Sequence, residues 1–155
     1  MLERYDIGLA RPGEAGTIAV MSRDYVEHGL EWQWKPARIV GKIRAKDTNV
    51  AVARSGKAIV ACAIMRYADM DAHLELLAVQ PNHRKRGIGR RIVEWLTETA
   101  EVAGIQIVYV ETRIGNAGAR SFYTRLGYQD VEILPRYYCG RESAIRLAYD
   151  LHRSV

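Results

Sequence analysis

Eight consecutive residues, Arg84-Lys85-Arg86-Gly87-Ile88-Gly89-Arg90-Arg91, set five cations around two glycines. An apolar run, His73-Leu74-Glu75-Leu76-Leu77-Ala78-Val79, precedes them, and Pro81-Asn82 breaks it. Beyond Gly89 the apolar residues Ile92, Val93, Trp95, Leu96 and Ala100 recur at helical spacing until Gly104. The stretch therefore predicts strand, tight basic turn, helix. Such a turn has a chemical use. The N–H groups of a first helical turn lack partners, and the macrodipole makes that end positive. Glycine lets an anion approach the backbone, and the flanking arginines add charge, so the turn suits a phosphate or pyrophosphate. A dinucleotide fingerprint would want glycine where Ile92 stands. A P-loop wants Gly-Lys before Ser or Thr, which Gly41-Lys42-Ile43 and Gly56-Lys57-Ala58 lack. The octet alone leaves a second reading open, a solvated basic helix start.

The elements that must position this turn follow from the rest of the chain. Residues 5–9 predict a strand, closed by Arg11-Pro12-Gly13. Residues 14–28 predict a helix, with Ile18, Met21, Tyr25 and Val26 on one stripe and Gly29 ending it. Pro36 suits the first turn of a second helix, carrying Ile39, Val40 and Ile43 inward up to Lys46. Residues 49–53 and 57–65 form a hairpin around Arg54-Ser55-Gly56, and with residues 74–79 they make the antiparallel part of a sheet. A helix over 87–103 leads to a strand over 105–111. Ile105, Ile107 and Tyr109 on one face and Val108 and Val110 on the other predict cover on both sides. A helix over 115–125 ends at Gly127, and strands over 129–134 and 142–151 flank a loop at 135–140. No repeat, low-complexity segment or linker interrupts residues 1–155, which read as a single domain.

The second half of this stretch settles the ligand. Asn116, Ala119, Phe122, Tyr123, Gly127 and Tyr128 form the pattern Asn-x-x-Ala-x-x-Phe-Tyr-x-x-x-Gly-Tyr. Arg84-x-x-Gly87-x-Gly89 followed by that pattern resembles the GNAT superfamily of N-acetyltransferases. The resemblance implies an α/β fold with a mixed, mostly antiparallel central sheet flanked by helices, and acetyl-CoA as co-substrate. It implies that Arg84, Lys85, Arg86, Gly87, Ile88, Gly89 and Arg90 hold the pyrophosphate. Asn116, Ala119, Phe122 and Tyr123 would flank the pantetheine and thioester.

Acyl transfer to an amine sets the remaining requirements. An ammonium must lose a proton before it attacks, and a positioned carboxylate or water chain can take it. Glu111 ends an apolar strand, where partial desolvation would raise its pKa; the other reading is a rim carboxylate paired with Arg113. The tetrahedral intermediate needs donors for its oxyanion. The family resemblance places them on the backbone of Leu77, Ala78 and Val79, and the leaving thiolate's donor on Tyr123. With reference values of about 10 for tyrosine and about 8.5 for a thiol, full proton transfer is uphill by roughly 2 kcal/mol. Tyr123 then either has a lowered pKa or acts as a hydrogen-bond donor; otherwise it is a packed helix tyrosine.

Val110-Glu111-Thr112-Arg113-Ile114-Gly115-Asn116, Arg136-Tyr137-Tyr138 and Gly140-Arg141-Glu142-Ser143-Ala144-Ile145 resemble segments of the ribosomal-protein-alanine N-acetyltransferase (RimI-like) group. There the glutamate is the general base and the helix tyrosine the general acid, roles that carry to Glu111 and Tyr123. Tyr137 and Tyr138 sit where a peptide N-terminus would lie. Trp32 and Trp34, spaced by two, either pack or wall the acceptor pocket. Gly115 replaces the group's usual serine, and the link from Tyr138 to Gly140 is shorter. The leading acceptor is a protein or peptide α-amine; the alternative is a polyamine or amino sugar. A third reading, a nucleic-acid-binding module on the basic octet, lacks the interleaved aromatic residues expected for stacking.

Composition agrees with an ordinary globular protein, 48% apolar and 26% charged, with a net charge of +5. The polar start, Met1-Leu2-Glu3-Arg4-Tyr5-Asp6, does not resemble a signal peptide, and the apolar run 58–65 is too short to span a bilayer. Cys62 and Cys139 suit a reducing compartment, so a cytoplasmic monomer or homodimer is expected. His28, His73, His83 and His152 show no metal-ligand spacing, and direct attack needs no Cys139 nucleophile.

Overall fold

The computed structural model describes residues 4–152. In chain order the elements are β1 (Asp6–Leu9), α1 (Ala15–Tyr25), α2 (Pro36–Arg44), β2 (Thr48–Ser55), β3 (Ala58–Tyr67) and β4 (Asp71–Val79). Then come α3 (Ile88–Val102), β5 (Ile107–Arg113), α4 (Ala117–Arg125), β6 (Gln129–Tyr138) and β7 (Glu142–Asp150). All seven strands join one sheet in the order β1-β2-β3-β4-β5-β7-β6. Only β4 and β5 run parallel. The mixed, mostly antiparallel sheet flanked by helices is the architecture expected from the sequence.

The sheet carries a core on each face. Ile18, Ala19 and Met21 of α1 and Ile39 of α2 pack on Val50, Val52, Cys62, Ile64, Leu76 and Ala78. On the other face Ile88, Ile92, Val93 and Leu96 of α3 and Tyr123 of α4 pack on Ala61, Ala63, Leu74, Val108, Val110 and Leu147. Leu74 and Leu76 thus belong to opposite cores although they are two residues apart, which a regular strand forbids. The register explains it. Ile64 pairs with Leu76 and Met65 with Leu74, so Glu75 is the extra residue of a β-bulge that switches the faces of β4.

The parallel ladder between β4 and β5 stops at the same place. Its last pair is Leu74 with Val110, and from Glu75 to Val79 the β5 side of β4 has no strand partner. A gap thus opens between two adjacent strands in the middle of the sheet, with Leu77, Ala78 and Val79 on one side.

Two expectations are corrected. β5 is not covered on both faces: Val108, Val110 and Thr112 are buried, while Ile107, Tyr109, Glu111 and Arg113 are half-buried. The reason is reach, because the α1–α2 core ends at β4 and that side of β5, β7 and β6 has no helix over it. Secondly, β6 continues through the expected loop as far as Tyr138. It is an edge strand, where Pro135 costs no ladder bond, and its register slips between Leu134 and Tyr138 with Arg136 at φ 53°.

Candidate active site

The basic octet folds as a cradle at the start of α3. Lys85 (φ 64°) and Gly87 (φ 78°) both take left-handed conformations, which turn successive backbone N–H groups to one side, an arrangement suited to anions. Gly87 is also the residue that caps α3, so the unpaired N–H groups of Ile88, Gly89 and Arg90 open the helix. The Ile88 side chain is buried in the core, leaving only its backbone for a ligand. Gly89 allows a close approach of three elements. A Cβ built there would stand 3.4 Å from the Phe122 ring of α4 and 3.5 Å from Val79 of β4.

The octet's side chains divide into two sets. Arg84 folds back to donate through Nε to the Val79 carbonyl (3.2 Å), and Arg90 pairs with Glu94 at 2.6 Å. Arg91 reaches the Tyr5 carbonyl at 3.4 Å. Lys85 and Arg86 are exposed beside the cradle. The anion site is therefore chiefly backbone, with cations at its rim. Across the gap, Asn116 caps α4 by accepting from the Ala119 N–H (3.0 Å), so its side chain shapes the helix start. Ala119 and Phe122 line the same core edge as Leu77 and Val79. Tyr123 stacks edge-on against Phe122 and Tyr128, with centroids 5.0 and 5.3 Å away. Burial, with a smaller push from the Tyr128 and Tyr138 phenols, raises the Tyr123 pKa far above its ordinary value. That removes the reading in which Tyr123 has a lowered pKa, and leaves a neutral phenol packed at the start of the gap.

Glu111 sits at the centre of a polar cluster on the side of the sheet that no helix covers. Its side chain is only 6% exposed, yet both oxygens have donors. Oε1 meets His73 Nε2 at 2.5 Å and accepts from the Tyr137 hydroxyl at 3.0 Å. Oε2 accepts from Arg146 Nε at 3.0 Å, and Arg146 also holds Glu132 at 2.8 Å. The strand register produces the cluster, since His73 pairs with Tyr109 and Arg146 lies directly across from both Glu111 and Glu132.

The expected rise in the Glu111 pKa does not occur. Burial pushes the carboxyl up, but the hydrogen bond and charge of His73, with hydrogen bonds from Arg146 and Tyr137, outweigh it and hold it below its ordinary value. Glu111 is thus a resident anion at neutral pH. Nor does it pair with Arg113, whose guanidinium donates to the Val26 and His28 carbonyls at 2.8 and 2.9 Å. Tyr137, pushed by burial and by the Glu111 charge up to about 12, stays a donor throughout the useful range.

A stability prediction follows from the depressed pKa. Such a carboxylate contributes stability above its unfolded-state pKa, and loses it as pH falls through the folded value. Arg146→Met removes one donor and raises the folded pKa, so the variant melts at lower temperature than wild type at pH 7. Because the difference depends on an ionised Glu111, the gap closes towards pH 3. Thermal melts across that range check it; a gap that does not change with pH would contradict it.

The acceptor side is bounded by two pieces of chain. In the α1–α2 link the buried Glu27 carboxylate accepts from Ser22 Oγ and the Gln33 N–H, both at 2.8 Å, and from the Trp34 N–H at 3.3 Å. Trp34 is buried beneath the Arg38 guanidinium (3.8 Å), and Trp32 donates to the Ala19 carbonyl at 3.2 Å. Both tryptophans pack in the α1–α2 core, and it is the exposed Gln33 between them that reaches outward, its amide 4.0 Å from Cys139 Sγ in the β6–β7 turn. Tyr138 packs edge-on against Tyr137 at 5.0 Å. Sequence reasoning missed His73, Arg146, Glu27 and Gln33. The signals available were a histidine alternating with Ala72 and Leu74, and an arginine alternating with Ile145 and Leu147. Among the described residues no group of three or more His, Cys, Asp and Glu side chains could hold a metal ion.

A left-handed backbone cradle at a helix start, a gap between β4 and β5, and a buried carboxylate beside that gap together suit an anionic ligand bound next to an amine. The model of the acetyltransferase (GNAT) family matches residues 18–128, and the chain belongs to that family. It is an acyltransferase whose co-substrate is acetyl-CoA. The chain is 34% identical over 118 residues to the ribosomal protein bS18-alanine N-acetyltransferase of Escherichia coli, covering 74% of this chain and 79% of the relative. With N-alpha-acetyltransferase RimI of Mycobacterium tuberculosis it shares 31% identity over 109 residues, 68% of this chain and 67% of that one. The crystal structure of the Escherichia coli ribosomal-protein-S18-alanine N-acetyltransferase superposes with a TM-score of 0.83 at 22% identity, covering 96% of this chain and 94% of the other. Arabidopsis thaliana NAA60 in complex with acetyl-CoA gives 0.85 at 13% identity, over 96% and 99%. The RimI-like resemblance in the sequence therefore holds.

Proposed function

We propose that the chain acetylates the free α-amine of a protein or peptide N-terminus, by direct attack of the neutral amine on the thioester. The observation that carries this reading is the setting of Glu111. It is a buried anion beside the β4–β5 gap, on the side of the sheet where the α1–α2 link and the β6–β7 turn meet through Gln33 and Cys139. Two walls of polypeptide around an anion suit the charged end of an extended chain. Relatives named for alanine N-acetylation and N-alpha-acetylation support the same acceptor.

The cradle of Lys85 to Arg90 holds the pyrophosphate, and the thioester lies along the gap beside Leu77, Ala78 and Val79. Backbone N–H groups there stabilise the oxyanion, worth about 10²–10³ in rate per donor in comparable sites. Glu111 draws in the ammonium and favours its loss of a proton. Tyr123 donates a hydrogen bond to the developing thiolate. Tyr123→Phe is expected to lower kcat about 10²-fold while acetyl-CoA affinity stays within threefold. With its phenol pKa raised, Tyr123 adds no basic limb to the rate profile up to pH 10. Stopped-flow rates and calorimetry check both points; an unchanged kcat with chemistry rate-limiting would return Tyr123 to packing alone.

CoA release from a panel of peptides, polyamines and amino sugars tests the acceptor. Peptides with a free N-terminus are expected to give the highest kcat/KM, and N-terminally blocked peptides without lysine none. Preference for a polyamine would overturn the reading. Two unpaired thiols, Cys62 buried and Cys139 exposed, support assignment to the cytoplasm.

A further inference from the structure

The uncovered face of the sheet holds a cavity of about 220 Å³, walled by Arg66 of β3, Asp71 and His73 of β4, Tyr109 of β5 and Arg146 of β7. Leu77, Ala78, Val79 and the two acceptor walls take no part in it. Its charged groups are only partly used. Arg66 gives Nε to Glu75 at 3.3 Å, and Lys42 also holds Glu75 at 2.8 Å. The two terminal nitrogens of Arg66 bond to no described residue. Arg146 gives Nε to Glu111 and Nη1 to Glu132, which leaves Nη2. Asp71 is exposed, and its carboxylate has no ion pair or hydrogen bond with any described residue. The strand register sets these groups out. Arg66 pairs with His73 and His73 with Tyr109, so the three form one row across the sheet. Asp71 stands two residues back along β4, while Arg146 lies forward, opposite Glu111. At about 3.3 Å of rise per residue, Asp71 is offset from the Arg66 row by about 7 Å.

Unused guanidinium donors and an unpaired carboxylate thus share one cavity without meeting each other. A ligand carrying both charges satisfies both. We infer that this cavity binds a small zwitterion of the ω-amino acid class, its carboxylate on Arg66 and Arg146 and its ammonium on Asp71. A guanidinium edge presents parallel N–H donors that match a carboxylate. Charge balance selects against simpler ligands. The cations Lys42, Arg66 and Arg146 are met by Glu75, Glu111 and Glu132, so a plain anion gains the guanidinium edges but faces Asp71. A plain amine gains Asp71 but faces two guanidinium groups. Drug-sized sites run to about 300–1,000 Å³, so this smaller cavity fits a ligand of a few carbons. The offset of Asp71 sets the ligand's two charges several bonds apart, farther than the adjacent groups of an α-amino acid. Tyr109, whose ring lies 5.9 Å from the Arg146 guanidinium, gives the intervening methylenes an apolar wall. The ligand takes Arg146 by Nη2 and leaves Nε on Glu111, so the site is separate from acetyl transfer and independent of which amine is the acceptor.

Calorimetric titration of the whole chain with γ-aminobutyrate tests this, beside butyrate and butylamine, which carry one charge each. γ-Aminobutyrate is expected to bind at least about tenfold more tightly than either, the effect of one further charge-assisted hydrogen bond. Asp71→Asn and Arg66→Gln are each expected to weaken it by a similar factor, with acetyl-CoA affinity unchanged. Asp71 is exposed and unpaired, so Asp71→Asn keeps the wild-type fold and its result stands even if loss of the Arg66–Glu75 pair destabilises the other variant. No binding of γ-aminobutyrate, or binding no tighter than that of butyrate or butylamine, would overturn the inference. Wild-type affinity in Asp71→Asn would overturn it equally, since the ligand would then lie elsewhere, beside Glu111 at the acceptor site or on the surface.

Discussion

Gly89→Glu is expected to weaken acetyl-CoA binding by at least about 10³-fold while the protein stays folded. Two effects add. The added carboxylate stands at the helix start beside a pyrophosphate of two charges. Like charges about 5 Å apart at an effective dielectric near 20 repel by about 3 kcal/mol each, and physiological salt roughly halves the sum. The side-chain stem also meets Phe122 and Val79 at ordinary-to-tight distances, 3.4 and 3.5 Å, so the ring must shift by a few tenths of an ångström. Together these reach about 4 kcal/mol, or three orders of magnitude in affinity. Gly89→Ala carries the steric part alone and is expected to lose no more than about tenfold. Calorimetric titration with acetyl-CoA, with circular dichroism as the check on folding, distinguishes them. A folded Gly89→Glu protein with wild-type affinity would place the cofactor elsewhere.

Glu111→Gln is expected to slow turnover about 10³-fold at pH 7, with part of the loss recovered at higher pH. The amide keeps the shape but removes the anion that gathers the ammonium. As pH rises, more of the amine is already neutral and less help is needed. An α-amine has a reference pKa of about 8 and a lysine-type amine about 10.4, so recovery begins roughly two units earlier for a peptide N-terminus. Rates for wild type and variant from pH 6 to 10, with matched α-amine and ε-amine peptides, show it. Parallel profiles at similar rates would remove Glu111 from the proton pathway.

The cradle half of the candidate site was legible in the sequence because its geometry is local. Arg84 to Gly89 are neighbours in the chain, and their glycines and cations report a backbone turn directly. The positive φ of Gly127 at the end of α4 was readable for the same reason, whereas the cap at Asn116 was not, since the helix was expected to start at 115. The acceptor half depends on register, which a single sequence does not carry. Glu111, His73 and Arg146 come from three strands, and nothing in the local pattern says that positions 111 and 146 face each other. The bulge at Glu75 was hidden in a run that reads as regular alternation, although it decides which core Leu76 and Ala78 enter. The direction of the Glu111 pKa went the other way because desolvation can be guessed from an apolar strand, whereas three donors cannot. Of the two readings of Trp32 and Trp34, packing is the one their surroundings in the α1–α2 core match, and the exposed Gln33 between them carried no signal in a single sequence.

The central claim, transfer to a backbone N-terminus, is tested most directly on one peptide that offers both kinds of amine. A peptide with a free N-terminal alanine and an internal lysine is incubated with the enzyme and acetyl-CoA, and the product is mapped by fragmentation in a mass spectrometer. The account predicts a single acetyl group on the α-nitrogen, formed with stoichiometric release of CoA. Acetylation confined to the lysine, or CoA release only when a polyamine is supplied, would contradict it.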